Sequence, residues 1–189
     1  RWDEVRPDVV HFAYMKATEG GDFRDTQFSK NWKAAKAAGI PRGAYHFFTL
    51  KRPGIEQAAN YIAVVPKEHG ALPPAVDLEF WGNSSARPSI EEFRRELEIF
   101  MVEIREHYGR EPVIYTDTKF KKHYLKDYPI QRLWIRAVIF TPKQASAPTW
   151  MFWQFFEKMK VEGIDGFVDQ NVFHSDSESF RRLLQEEIK

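Results

Sequence analysis

The order of apolar segments along this 189-residue chain is the feature that most restricts its fold. Over roughly the first 125 residues, short β-branched or aromatic segments alternate with longer segments of helical period. This pattern predicts strands at residues 9–15, 43–48, 73–83 and 112–116. It predicts helices at residues 26–38, 55–65, 89–108 and 117–125. Alternating strands and helices are typical of a mostly parallel α/β sheet.

The alternation of predicted strands and helices is lost in the last third of the chain. Strands are predicted at residues 133–138, 149–156 and 167–173, and the segments between them hold proline and glycine without a convincing helix. A helix is predicted to close the chain at residues 177–188. The length is that of one domain, so residues 1–189 are interpreted as a single unit.

One predicted strand carries two acids on the same face. In residues 73–83, Val76 and Leu78 alternate with Asp77 and Glu79, and side chains two residues apart on a strand point the same way. Two neighbouring carboxylates repel each other, and burial raises the pKa of at least one of them. The arrangement gains no stability, so it indicates either a functional site or two separately solvated acids.

Further polar residues are predicted at the carboxyl ends of other strands. They lie at residues 16–19, 45–46 and 169–171. In open α/β sheets and in barrels, chemistry is located at these strand ends. A barrel would bring the four polar groups together over one mouth, and this favours a site that includes Asp77 and Glu79.

Composition excludes several classes of function. The net charge of +1 argues against a dedicated nucleic-acid binder. The absence of cysteine excludes disulfides and cysteine metal sites, and the histidines show no metal-ligand spacing. No apolar run is long enough for a membrane span. No nucleotide loop is present, so no metal or cofactor is expected. A basic stretch, with Lys119 and Lys122 among its members, is interpreted as a solvated helix face rather than a polyanion site.

Aromatic residues make up 15% of the chain, and most are expected in the core. Trp150, Trp153 and Phe155 share one face of a predicted strand, which is either core or a wall beside a sugar site. His46 is either a hydrogen-bonded core residue or part of a cleft. With the other classes of site excluded, the chain offers carboxylate chemistry in an aromatic cleft, and this combination is typical of a glycosidase.

Several motifs, in order, resemble those of family-25 glycoside hydrolases, the CH-type lysozymes (N-acetylmuramidases) of bacteria and phages. Residues 12–20 are similar to F-x-x-x-K-A-T-E-G, residues 25–31 to D-x-x-F-x-x-N, residues 38–47 to A-G-l-x-x-G-x-Y-H-F, residues 77–79 to D-x-E, residues 153–155 to W-Q-Y, and residues 163–171 to G-I-x-x-x-V-D-x-N. These stretches run nearly from end to end of the chain.

The resemblance implies a TIM-like barrel of five β/α units plus three further strands. It also implies hydrolysis of the β-1,4 bond from N-acetylmuramic acid to N-acetylglucosamine in peptidoglycan, by a secreted, cell-envelope (periplasmic) or phage-delivered protein. Glu79 would be the general acid, Asp77 would assist, and Asp169 would lie across the cleft. The residues predicted to bind the glycan are Lys16, Glu19, Tyr45, His46, Tyr115, Trp134, Trp153 and Gln154.

The chain departs from the family pattern in two places. The family's first strand, which carries an Asp, is missing before Arg1, so we expect an upstream strand and open edges at residues 9–15 and 167–169 without it. After Trp134 the sequence Ile135–Val138 replaces the usual cleft residues. Two alternatives stay open: a non-catalytic sugar-binding module derived from the lysozyme, and a chitinase-like hydrolase.

Overall fold

The structure, a computed structural model, describes residues 1–186. A 3-10 helix (Trp2–Glu4) precedes the first strand. The strands are β1 (Ala13–Glu19), β2 (Phe23–Arg24), β3 (Arg42–Phe47), β4 (Ala75–Leu78), β5 (Val113–Asp117), β6 (Leu133–Arg136), β7 (Phe152–Met159) and β8 (Val168–Phe173). The helices are α1 (Phe28–Ala37), α2 (Gly54–Ile62), α3 (Ile90–Tyr108), α4 (Thr118–Tyr124) and α5 (Ser177–Gln185). The predicted closing helix extends to residue 188, and residues 187–189 lie outside the described part.

The strands form one sheet in the order β2-β1-β3-β4-β5-β6-β7-β8. All pairings from β1 through β7 are parallel. The two outermost strands, β2 and β8, pair antiparallel with their neighbours. The predicted α/β class and parallel sheet are therefore confirmed.

The sheet is open, and the closed TIM-like barrel implied by the resemblance is wrong for residues 1–186. Strands β2 and β8 are the edges, with no ladder between them in this part of the chain. Aromatic side chains meet across the opening instead: the Phe12 ring centroid lies 5.2 Å from that of Phe152, and Tyr14 lies 4.8 Å from Trp134. The sheet is a curled half-barrel with an aromatic interior.

Four strand–helix steps are present in the described residues, where the resemblance implied five. Helices α1 to α4 follow β2, β3, β4 and β5, whereas β6, β7 and β8 follow one another without a helix. The predicted loss of this alternation after the first 125 residues is thus confirmed.

The outer face of the sheet carries the larger core. Val76 and Leu78 are fully buried there, in one cluster with Leu97 and Phe100 of α3. Helix α3 begins with the predicted capping box, in which Ser89 and Glu92 satisfy each other's backbone N–H groups. It ends at Gly109, whose φ of 65° is a left-handed conformation that glycine adopts readily.

The two-residue strand β2 is absent from the predicted elements, and two further strands differ in position from those predicted. Strand β1 begins four residues later than expected and continues through Glu19, because the backbone of residues 9 and 10 turns back to the Arg6 carbonyl while residues 16–19 pair with β3. Strand β7 continues to Met159 because its antiparallel pairing with β8 extends past the mouth of the sheet. Among the described residues, no helix is long and apolar enough to cross a membrane.

Candidate active site

The inner face of the sheet sets the positions of the candidate residues. Residues paired in a parallel ladder share a face, so Tyr45 and Lys16 lie side by side, as do Asp77 and Tyr115. The row continues from Tyr115 to Trp134. Lysine, tyrosine, aspartate and tryptophan side chains from five neighbouring strands, β1 and β3 to β6, therefore line one interior.

Asp77 is the most deeply buried acid in this interior. Its side chain lies near the end of β4 and the residue is 8% exposed. Among residues 1–186, its Oδ1 atom has no hydrogen-bond partner. Burial, followed by the negative charge of Glu79, holds the pKa of Asp77 well above its usual value, and the nearby Lys16 ammonium opposes this effect. A buried acceptor without a partner is costly unless a ligand supplies the missing donor.

Glu79 follows β4 directly and is half-buried. Burial, followed by the charge of Asp117, raises its pKa to about 7, while the Arg136 guanidinium lowers it. At neutral pH a substantial fraction of Glu79 is therefore protonated and able to donate a proton. This matches the requirement for a general acid.

Asp169 lies on β8, which places it on the other side of the mouth from β4. Its own pKa is raised by burial and by the charge of Glu157. Its charge in turn raises the pKa of both Asp77 and Glu79. The structure thus brings the three predicted acids into one electrostatic cluster.

Three charged residues at the same mouth were not among the predicted site residues. Asp117 ends β5 and accepts a hydrogen bond of 2.7 Å from the backbone N–H of Phe120, capping α4. Arg136 ends β6 and forms an ion pair with Glu157 of β7. The sequence signal for Asp117 and Glu157 is that each directly follows a predicted strand, whereas Arg136 lies inside the predicted strand at residues 133–138 and carries no such signal.

Aromatic and amide groups complete the interior. The Trp134 indole N–H donates to Asn171 Oδ1 at 2.8 Å, and the Trp134 ring lies 5.0 Å from Tyr115. Burial is the largest cause of the raised pKa of Tyr45 and of Tyr115, and Asp77 adds to it in both. The two phenols are therefore hydrogen-bond donors at neutral pH.

Lys16, Glu19 and Gln154 also lie at this mouth. Lys16 Nζ is 2.6 Å from Glu19 Oε2 and lies 5.1 Å from the centre of the Phe47 ring. Gln154 is 2% exposed and pairs in register with Arg136 on one side and Asn171 on the other. All three lie on the same face of the sheet as the carboxylates.

Two predicted site residues lie on the opposite face of the sheet, and their assignment to the cleft is wrong. His46 is fully buried; the Thr18 hydroxyl contacts its Nδ1 at 2.7 Å, and its Nε2 lies 3.2 Å from Gln57 Oε1. Burial lowers the pKa of His46 to about 4, so its ring is neutral. His46 is the hydrogen-bonded core residue that was the other interpretation.

Trp153 is the second predicted site residue that lies on the opposite face of the sheet. It packs against an outer cluster that includes Ile135, and its indole N–H donates to the Ala137 carbonyl at 2.9 Å. Adjacent residues of a strand point to opposite faces, so Gln154 is the member of this pair that faces inward. Of the aromatic face predicted at residues 150–155, Trp150 and Trp153 pack, partly buried, against this outer cluster.

Comparisons with known proteins agree with this geometry. The model of the family Glycosyl hydrolases family 25 matches residues 1–164. The structure of a family 25 glycosyl hydrolase from Bacillus anthracis has a TM-score of 0.84 and 37% identity, covering 91% of this chain and 82% of that chain.

Two curated relatives match at lower identity. YegX of Escherichia coli (strain K12) is 31% identical over 179 residues, or 93% of this chain and 63% of that protein. Lysozyme M1 of Streptomyces globisporus is 30% identical over 195 residues, or 97% of this chain and 65% of that protein. The chain spans less than two thirds of the length of either relative. With a family model matched over most of its residues and a close structural counterpart, the chain belongs to glycosyl hydrolase family 25.

Proposed function

We propose that this chain is a peptidoglycan hydrolase that cleaves the β-1,4 bond between N-acetylmuramic acid and N-acetylglucosamine. The observation that carries the proposal is Glu79, a half-buried acid with a pKa of about 7 beside the buried Asp77. A glycosidase needs a carboxylic acid that stays protonated near neutral pH to protonate the leaving oxygen. Glu79 meets this need.

Asp77 is proposed to assist the reaction. Its unpartnered Oδ1 would accept a hydrogen bond from the acetamido N–H of the bound sugar. This contact orients the acetamido group and stabilises positive charge that develops at the anomeric carbon. Such a role explains why the fold tolerates a buried acceptor that no protein group satisfies.

The remaining inner-face residues are proposed to bind the glycan. Tyr45, Tyr115 and Trp134 offer flat rings with polar edges, and Gln154 offers an amide. Asp169 would lie across the cleft, where water must reach the anomeric carbon after the bond breaks. Lys16 and Glu19 would border the same cleft.

The wider setting follows from the substrate. A peptidoglycan hydrolase acts at the wall, so we propose a secreted, envelope-located or phage-delivered protein in which residues 1–189 form one catalytic domain. The relatives named as lysozymes support this proposal.

Glu79→Gln is the test. It keeps the shape of the side chain and removes the acid, so wall lysis should fall by at least about 100-fold. Borohydride reduction of the wild-type products should convert muramic acid, not glucosamine, to its alditol. Glu91→Gln, on the exposed first turn of α3, is the matched control and should be fully active.

Three results would contradict the proposal. Normal lysis by folded Glu79→Gln protein would remove Glu79 from the mechanism. Glucosamine alditol would indicate the chitinase-like specificity. Binding of walls by the wild type without any release of reducing ends would indicate a sugar-binding module.

A further inference from the structure

A basic groove lies directly beside the candidate active site. It has a volume of about 540 Å³ and is lined by Phe80, Arg87, Lys119, Lys122 and His123. Phe80 follows Glu79 in the chain, and Lys119 comes two residues after Asp117. The groove is therefore formed by the segment after β4 and by α4, which follow directly on Glu79 and Asp117 in the chain.

The cationic groups converge on one aromatic ring. Arg87 Cζ lies 4.7 Å from the centre of the Phe80 ring, and Lys119 Nζ lies 5.8 Å from it. The His123 ring meets Phe80 edge-on at 5.8 Å. Arg87 is held in place by donating to the carbonyls of Ser84 and Ala86 at 2.6 and 2.7 Å.

These cations are not neutralised within the molecule. In the part of the chain that the structure describes, Arg87, Lys119 and Lys122 form no ion pair with an acid, although Arg52 and Arg95 do. Like charges that share a groove repel each other, which costs stability. An anionic ligand would relieve that repulsion.

The structure also revises the interpretation of the basic stretch as one solvated helix face. Lys121 turns away from the groove and donates to the Ser146 carbonyl at 3.0 Å. Lys119 and Lys122, three residues apart on α4, line the groove together. The stretch thus has a side that faces the site.

We propose that the basic groove binds carboxylates of the stem peptide attached to the peptidoglycan strand. This inference rests on the proposed function and adds a substrate requirement to it. Muramic acid carries its peptide through a lactyl group, so a strand bound at Glu79 carries peptide carboxylates close to the scissile bond. The Phe80 ring offers an apolar floor for the methyl groups of such a peptide, between the cations that pair with its carboxylates.

The test compares Lys119→Gln/Lys122→Gln with a matched control, Lys30→Gln/Lys33→Gln. The control lysines are exposed, have the same spacing on α1, and lie away from the groove. The substrates are teichoic-acid-free glycan with its stem peptides, the same glycan after amidase removal of the peptides, and peptide-free glycan that retains teichoic acid. KM and kcat are measured for each.

On peptide-bearing glycan, the groove variant should show a KM raised by roughly three- to tenfold, as expected for the loss of two solvent-accessible ion pairs, with little change in kcat. On both peptide-free glycans it should equal the wild type, and the control variant should equal it throughout. The difference should shrink at high ionic strength. Equal losses on all three glycans, or no loss, would overturn the proposal. A loss confined to glycan with teichoic acid would assign the groove to a phosphate polymer instead.

A binding measurement separates this proposal from the catalytic one. Soluble glycan tetrasaccharides, with and without peptides, are titrated into Glu79→Gln protein with the groove intact or doubly substituted. A weaker affinity of the groove variant for the peptide-bearing tetrasaccharide alone supports stem-peptide binding even if the wild type cleaves no glycan. Equal affinities refute it even if the wild type is an active muramidase.

Discussion

Arg136, at the end of β6, forms an ion pair with Glu157 of β7 beside the carboxylate cluster of the candidate active site. The guanidinium lowers the pKa of Glu79, whereas Asp117 and Asp169 raise it. The value of about 7 is therefore a balance between burial and the charges of strands β5 to β8, which all lie on one side of β4 in the sheet. That balance can be changed in either direction by single substitutions.

Arg136→Gln should move the alkaline limit of activity to higher pH. Removal of the cation leaves Glu79 with a higher pKa, and the freed Glu157 acts in the same direction. We expect a shift of roughly half a pH unit or more, by analogy with carboxylates beside arginine. The measurement is the pH profile of kcat/KM for wall glycan.

The substitution Asp169→Asn tests the same balance of charges in the opposite direction from Arg136→Gln. It removes a negative charge, so the pKa of Glu79 should fall and the alkaline limit should move to lower pH. Shifts of the two variants in the same direction would show that Glu79 does not set this limit.

The ionisation of Glu79 should also be visible in stability. Its pKa rises from the usual 4.5 to about 7 on folding, so the folded state holds the proton more tightly than the unfolded state does. The stabilisation is fully present below pH 4.5 and is lost as the pH rises to about 7. His46 contributes the opposite trend in an overlapping window, since its pKa falls to about 4.

The comparison of Glu79→Gln with the wild type isolates the Glu79 contribution. At pH 8 the variant should be more stable by about 1 to 3 kcal/mol, and this advantage should disappear at pH 4. Thermal or urea unfolding of both proteins across this range measures it. An advantage that does not depend on pH would show that Glu79 has an ordinary pKa.

The two faces of β4 predict different consequences for neighbouring residues. Leu78 is fully buried against the helices, so Leu78→Ala should cost about 2–5 kcal/mol. Asp77→Asn should reduce activity strongly with little loss of stability, because it keeps the shape of the side chain and removes only a charge whose burial is itself unfavourable. Melting temperature and wall lysis are measured together. An unchanged melting temperature for Leu78→Ala would contradict the strand register.

Trp134 and Trp153 lie on opposite faces of the sheet, so substitution of the first should affect activity and substitution of the second should affect stability. Trp134→Phe removes the donor to Asn171 inside the cleft and should lower kcat/KM by about tenfold or more, because we propose that this side chain positions substrate. Trp153→Phe removes the donor to the Ala137 carbonyl and should cost about 1–2 kcal/mol in stability with nearly normal kcat/KM. A lowered kcat/KM for Trp153→Phe with unchanged stability would instead show that Trp153 lines the cleft.

The sequence by itself determined the features that depend on local physics. Alternation between strand and helix periods located the elements of the sheet and its helices. The capping box at Ser89 and the glycine at residue 109 bounded α3 because they act on backbone groups of the same helix. The period of two in β4 separated Asp77 from Val76 and Leu78, since neighbouring residues of a strand must face opposite sides.

Tertiary structure decided the features that depend on which surfaces meet. His46 and Trp153 could have faced either side of the sheet, because aromatic and polar residues occur on both of its faces here; the partners Gln57 and Ala137 fixed them outward. Arg136 and Glu157 became part of the site only because the pairing of β6 with β7 brings their side chains into contact at the mouth. The open sheet likewise depends on contacts between distant segments, with Phe12 packing against Phe152 across the gap. Periodicity shows which residues share a face, whereas only long-range packing determines what that face contacts.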